Sequence, residues 1–294
     1  MTIVFLDIFS GISGDMFLGA MLDLGVDISQ LRAELNKLEL TGYQLSSRRE
    51  SRSGIEGVKF DVIEGESAID KSSLNPTAVS QEASPEIPSH GLALHHDHEH
   101  HAHQPANTQP DDDHHHDHSE SRDFTQIREL IEVSQLSNWV KKKAIAVFHR
   151  IAVAEGKIHG KPPEQVHFHE VGAIDSIVDI VGACIALEIL GKPRVLAAAA
   201  VDGTGWVRCA HGRFPVPTPA TLEMLGARRI PLTQCDEPHE LITPTGAALL
   251  TEFVEHFGPM QGLVADRIGY GLGTRENVTR PNVVRAMLSR TSEL

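Results

Sequence analysis

Apolar residues in this chain come in two spacings, and the change from one to the other marks out its elements. Residues 2–9, TIVFLDIF, are an unbroken apolar run of strand length. They lead through the small-residue loop Ser10-Gly11-Ile12-Ser13-Gly14-Asp15 into a helical spacing from Met16 to about Leu24. A second helix is predicted from Ile28 to Leu38. Two strands follow near Tyr43–Arg49 and Gly57–Ile63, joined through Ser53-Gly54. Helical spacing returns over Asp123–Val133 and over Ser137–His159, with Ser137 as N-cap and Gly160-Lys161-Pro162-Pro163 as the stop. A strongly apolar helix runs from Ile174 to about Leu190 and is closed by Gly191 and Pro193. Beyond it the pattern predicts a strand at Val195–Val201, a short helix at Pro219–Leu225, a longer helix at Thr245–Phe257, and strands near Val264–Tyr270 and Asn282–Leu288. The fold class expected is mixed α/β: a strand-loop-helix N-terminal unit, a helical middle, and strands near the C-terminus.

Between residues 65 and 122 the periodicity stops. This stretch is rich in Pro, Ser, Asp and His and too poor in apolar surface to offset its ordering entropy, so it is expected to be a disordered insertion. The expected division is therefore 1–64, an insertion at 65–122, and 123–294. Eleven histidines lie between His90 and His118, interleaved with Asp97, Glu99 and Asp111–Asp113. Such a tract offers exchangeable imidazole ligands without fixed geometry, which suits collection of transition-metal ions. The bland alternative is a polar spacer.

Composition narrows the partners. A chain of 294 residues with 40% hydrophobic content can bury a sizeable core. A formal charge of −14 argues against a nucleic-acid backbone as main partner and favours cations. The three cysteines, Cys184, Cys209 and Cys235, form no disulfide framework, which fits a reducing cytoplasm. The N-terminus lacks a basic leader, and no run reaches the roughly 18 apolar residues of a membrane span.

The densest chemistry lies in His167-Phe168-His169-Glu170, followed by Asp175 and Asp179. Imidazoles with nearby carboxylates make a mixed nitrogen and oxygen set for divalent ions. An extended HFH puts His167 and His169 on one face, and Asp175 and Asp179 share one face of the following helix near its positive end. The alternative is an ordinary helix start with a buried histidine. In Val207–Arg213, Cys209 and His211 stand two apart beside Arg208 and Arg213, a second metal or nucleophile candidate, or else a half-buried loop cysteine. Cys184, within an apolar helix, reads as core packing.

Three loops have the composition of anion cradles. In the first, Ser10, Gly11, Ser13 and Gly14 precede a helix N-terminus, while Asp7 and Asp15 are placed either to hold a hydrated Mg²⁺ or to cap. The second is Thr243-Pro244-Thr245-Gly246. The third, Gly269–Arg275, ends in an arginine, with Arg280 close behind, and lacks the remaining glycine of a dinucleotide fingerprint.

Taken in order, DIFSGISGDMFLGAMLDLG, VHFHEVGAIDSIVDIVGA, CAHGRFPVPTPAT, LITPTGAALL and IGYGLGTRENVTRPNVVR resemble the LarC family. That resemblance implies a metal-inserting lyase, a cyclometallase that places Ni²⁺ in pyridinium-3,5-bisthiocarboxylic acid mononucleotide to form the nickel-pincer nucleotide of lactate racemase. It also implies CTP dependence, assistance by Mn²⁺ or Mg²⁺, and a recipient enzyme for the cofactor. On this footing His167, His169, Glu170, Asp175 and Asp179 are metal-site candidates, and Glu170, Asp175, Cys209 and His211 catalytic candidates. Ser10, Gly11, Ser13, Gly14, Asp15, Thr243, Thr245 and Arg275 are candidates for binding the mononucleotide. Glu170 or an imidazole of HFHE is of the right type to take the pyridinium C4 proton. The family pattern continues into a C-terminal domain associated with nucleotide binding, so the chain resembles the first module of a protein that is sometimes made as two products. The competing readings are a noncatalytic nickel carrier and a metal-dependent hydrolase using His167, His169 and Asp175.

Overall fold

The computed structural model describes residues 2–65, 122–168, 171–209 and 212–290. The predicted insertion therefore lies almost wholly outside the described residues, as do His169, Glu170 and His211. What is described is mixed α/β, as the apolar spacing predicts.

The central element is a seven-stranded mixed sheet in the order β2-β3-β10-β11-β1-β4-β9. Its strands are β1 (Thr2–Asp7), β2 (Tyr43–Arg52), β3 (Ile55–Glu64), β4 (Arg194–Ala197), β9 (Val254–Phe257), β10 (Arg267–Leu272) and β11 (Val283–Arg290). The first strand lies inside the sheet, antiparallel to β11 and parallel to β4. β2 and β3 form a hairpin whose two-residue turn, Ser53-Gly54, has positive φ at both positions, matching the twist of the flanking strands. Two small pairs stand apart from the main sheet: β5 (Ala200–Asp202) with β8 (Leu232–Gln234), and β6 (Trp206–Cys209) with β7 (Gly212–Pro215).

The helices are α1 (Gly14–Asp23), α2 (Ile28–Leu35), α3 (Phe124–Val133), α4 (Asn138–His159), α5 (Ile174–Ile189), α6 (Pro219–Ala227) and α7 (Pro244–Phe253). α1 lies on the sheet over β3, β10 and β11; α5 packs on α1, and α4 packs on α5, α6 and α7. The predicted caps are present. The Ser137 hydroxyl accepts from the backbone N–H of Val140 at 3.1 Å and donates to Glu188 at 2.8 Å, tying the start of α4 to α5. Gly160 closes α4 in the left-handed conformation. Cys184 is fully buried in α5, as its apolar neighbours predict. None of the described helices is long and apolar enough to cross a membrane.

Three expectations need correction. The helix predicted over Thr245–Phe257 ends at Phe253, where Val254 turns to extended backbone and pairs with β4 through Val195. An open sheet edge here overrides helical spacing. The strand predicted over Val195–Val201 is two strands. Ala198 donates to Leu6 on the main sheet and Ala200 to Pro231 beside β8, so the weak alanine run marks the crossing from one sheet to the other. The strand predicted from Val264 begins at Arg267, and Val264 is 77% exposed.

The glycines Gly269 and Gly271, which suggested a flexible loop, lie within β10 and face α1. A Cβ on Gly271 would overlap the carbonyl oxygen of Met16 and come within 2.5 Å of the Ala20 nitrogen; one on Gly269 would come within 2.5 Å of the Ala20 oxygen. Two glycines two apart give one strand face without side chains, and the helix backbone settles directly on it. Gly271→Ala should therefore destabilise the protein by about 3 kcal/mol or more, whereas Gly226→Ala, on an exposed position of α6 with open space around it, should stabilise it by about 0.5–1 kcal/mol. Urea unfolding of the two variants checks this, and equal stabilities would mean that α1 does not rest on β10.

Candidate functional site

The turn Ser10–Asp15 is fixed by neighbours from distant parts of the chain. Ile12 donates to the Leu241 carbonyl at 2.9 Å and accepts from Thr243 at 3.1 Å. The fully buried Ser10 hydroxyl donates to the Pro281 carbonyl at 2.6 Å, and Arg280 donates to the Phe9 carbonyl at 2.8 Å. Three sequence motifs thus meet at the N-terminus of α1: SGISGD, LITPTG and RPN. Two buried carboxylates fasten the partner loops. Asp202 accepts from the backbone N–H groups of Gly203, Leu241 and Ile242. Burial holds the carboxyl of Asp202 above its ordinary range despite those bonds. Glu237 accepts from the Val278 and Thr279 backbone and from the Thr279 hydroxyl. Burial opposes its ionisation, but those donors outweigh burial and bring its carboxyl below the usual range.

The phosphate cradle expected at SGISGD is already filled. The Ser13 hydroxyl donates to Asp15, and the Ser10 hydroxyl is held by Pro281. Asp179 of α5 lies against Gly14, where a Cβ would stand 2.6 Å from its own, and it accepts from the backbone N–H of Asp15. A carboxylate of the chain therefore occupies the place an external anion would take at this helix end. The Mg²⁺ alternative does not fit either, because each carboxylate has a cationic partner: Asp7 pairs with Arg285, and Asp15 with Lys59 at 2.8 Å.

Lys59, which sequence reasoning passed over, is the centre of this cluster. Its side chain is 2% exposed, and its ammonium reaches Asp15, Asp61 at 2.7 Å and the Phe60 carbonyl at 2.8 Å. Burial opposes its charge, but Asp15 and Asp61 outweigh that, and its pKa is raised. The signal was present in GVKFDV, a lysine inside an otherwise apolar strand. The expected metal ligand Asp179 sits at the edge of the cluster with Oδ1 sealed from solvent and unpartnered. Burial, then the charges of Asp15 and Asp175, push its carboxyl well above the ordinary range. Asp175 is exposed in the first turn of α5, where its backbone N–H meets Glu64 at 3.3 Å.

A second place gathers the remaining candidates. Between α4, α6, the start of α7 and the β6–β7 hairpin lies a solvent-open cleft of roughly 640 Å³. His167 and Cys209 both line it, as do Glu155 and His159 of α4. His159 Nε2 lies 3.2 Å from Glu155 Oε2, an i, i+4 pair that sequence reading missed although its spacing is visible. His167 is held extended by a bridge to Asp123, and the exposed His167 between buried Val166 and Phe168 follows the predicted alternation. β6 ends at Cys209, which pairs with Gly212 at the start of β7, and His211 lies outside the described residues. Arg213, expected beside the thiol, lies over the Trp206 ring at 5.2 Å.

Thr243 caps α7, accepting from Gly246 at 3.2 Å, with the Thr245 hydroxyl 2.8 Å away, and Pro244 between them lines the cleft. α7 thus joins the cleft to the α1 turn. Arg275 is exposed on the loop after β10, apart from the residues that line the cleft, and its carbonyl accepts from Asn282. Among the described residues, no three His, Cys, Asp or Glu side chains come together so as to hold a metal ion.

The raised carboxyl pKa of Asp179 has a definite sign. The native state binds a proton more tightly than the unfolded chain, so this group lowers stability as pH rises from about 4, the unfolded value, through its raised native value. Asp179→Asn removes that dependence, and its stability relative to the parent should grow as pH rises. Urea unfolding at acid and neutral pH measures the gap; a gap independent of pH would show that Asp179 ionises normally.

Comparison with known proteins gives these sites a context. The chain is 42% identical over 294 residues to the pyridinium-3,5-bisthiocarboxylic acid mononucleotide nickel insertion protein of Geobacillus kaustophilus, a match covering 100% of this chain and 61% of that protein. It is 44% identical to the protein of the same name from Lactiplantibacillus plantarum (100% and 63%) and 37% identical to that from Acetivibrio thermocellus (100% and 61%). The chain thus spans about three fifths of the length of these relatives. No solved structure matches it. With the nickel insertion protein family model matching residues 4–294 and relatives this similar along its whole length, the chain belongs to the nickel insertion protein family.

Proposed function

We propose that this chain carries out nickel insertion into pyridinium-3,5-bisthiocarboxylic acid mononucleotide, the substrate that its relatives' names specify. The observation that carries the reading is the cleft. His167 and Cys209 come from segments far apart in sequence, and both line one solvent-open cavity beside the α7 start. An imidazole and a thiol are borderline and soft donors, a set suited to nickel passing to a sulfur-bearing acceptor.

In this reading nickel is a substrate. It arrives from the histidine-rich tract between His90 and His118, which acts as a reservoir, and passes to HFHE. His167 and His169 hold the ion while the thiocarboxylates of the mononucleotide replace them. The ring proton at C4 leaves as the nickel–carbon bond forms, and Glu170 or an HFHE imidazole is its acceptor. Cys209 assists from the end of β6, with His211, two positions on in sequence, as its companion. CTP, Mn²⁺ or Mg²⁺ and a recipient enzyme enter from the family resemblance. Asp7 and Asp15 are engaged by Arg285 and Lys59, so neither carboxylate is free to hold the assisting ion.

The test is mass spectrometry of the small-molecule product after incubation with Ni²⁺, CTP, Mn²⁺ or Mg²⁺ and the mononucleotide. His167→Ala combined with His169→Ala should reduce product formation at least a hundredfold while circular dichroism and the melting temperature stay close to the parent. Full activity in the double variant would sink the ligand assignment, and nickel binding without any product would favour a carrier.

Reservoir and insertion site separate in a second experiment. Deletion of residues 90–118 removes eleven histidines and few apolar residues, so bulk nickel capacity should fall and stability should hold. Product formation should be normal at saturating Ni²⁺ and defective at scarce Ni²⁺; loss of activity at both would place the tract in the reaction centre.

A further inference from the structure

We propose that the cleft between α4, α6 and the β6–β7 hairpin seats the planar pyridinium ring of the mononucleotide, with Phe214 as its aromatic wall and Glu155 with His159 on the facing helix. This rests on the nickel-insertion reading above and adds to it the place where the ring binds.

The lining divides by chemistry. Phe168, Val171, Phe214 and Ile158 are apolar, and Ile158 is 42% exposed, an apolar side chain left open at the end of a helix otherwise finished with polar residues. Against them stand Glu155, His159, His167 and Cys209. A cavity with mostly apolar walls and a few polar groups is the usual form of a small-molecule site, and this one is open to solvent. A pyridinium ring is flat and positively charged. Its faces gain from aromatic contact and from the ring quadrupole of Phe214, and its charge is complementary to the Glu155 carboxylate. Thr218, Pro219 and Ala220 at the start of α6 supply small side chains, which keep that side open.

The thiol of Cys209, half-buried on the lining, would then be covered by the bound ring, whereas Cys235, also half-buried, does not line the cleft.

That difference provides the test. Binding of pyridinium-3,5-bisthiocarboxylic acid mononucleotide to the full chain is measured by calorimetry, and alkylation of each cysteine by iodoacetamide is followed by mass spectrometry. Phe214→Ala should weaken mononucleotide binding about tenfold and leave binding of Ni²⁺ alone unchanged, with Phe214→Trp restoring it to within about threefold. Saturating mononucleotide should slow alkylation of Cys209 at least tenfold and leave Cys235 unaffected. If the parent chain binds the mononucleotide but Phe214→Ala binds it equally well and Cys209 is not shielded, the ring sits elsewhere and only this proposal is overturned. If the parent binds no mononucleotide, the nickel-insertion reading fails, and the cleft assignment fails with it.

Discussion

The position of everything described around the site depends on how closely α1 approaches the sheet. A helix normally packs on a strand through side chains, but here backbone meets backbone over Gly269 and Gly271 of β10, and Gly19 of α1 would place a Cβ against the Val58 carbonyl of β3. The helix cannot sit this low with any side chain at those positions. Its depth in turn sets the Ser10–Asp15 turn at the height where Ile12 can pair with Leu241 and Thr243, and that pairing fixes the start of α7 on the cleft.

Depth has an electrostatic consequence. Lys59, 2% exposed, is brought against Asp15, so its ammonium cannot be left alone: removing the partners of a buried charge costs about 3–5 kcal/mol because the charge is stranded. Asp61 and Asp15 keep the lysine charged, and Asp179, next in line, is pushed toward its neutral form. The turn therefore has the composition of a ligand loop and the function of a clasp. The solvent-open cleft with imidazole, thiol and aromatic side chains lies on the other side of the α7 start.

Sequence patterning was most informative where a single element explains its own residues. The caps at Ser137 and Gly160, the Ser53-Gly54 turn, the core role of Cys184 and the exposed His167 between buried neighbours all follow from local spacing. It failed where distant parts of the chain decide. Nothing local reveals that an open edge of β4 claims Val254–Phe257, or that glycines with the look of a loop are the floor beneath a helix. The same holds for the site. Ser10 and Ser13 have the right hydroxyls for phosphate, but their partners come from Pro281 and from the acidic residue two positions on. Lys59, Asp202 and Glu237 were overlooked because a buried charge makes sense only with its partners in view.

The sheet joins segments that lie far apart in the sequence. β1 pairs along its whole length with β11, Asp7 meets Arg285, and the Ser10 hydroxyl reaches Pro281, contacts that span 278 and 271 positions in sequence. A chain emerging from the ribosome makes its first strand long before the partner of that strand exists. Closing such distant pairs costs loop entropy in advance of any contact, which slows folding. During synthesis β1 must wait, with an apolar edge unpaired, and the α1 turn has no Pro281 to hold it. The Ser10 turn therefore reaches its final form only once Pro281 and β11 have been made.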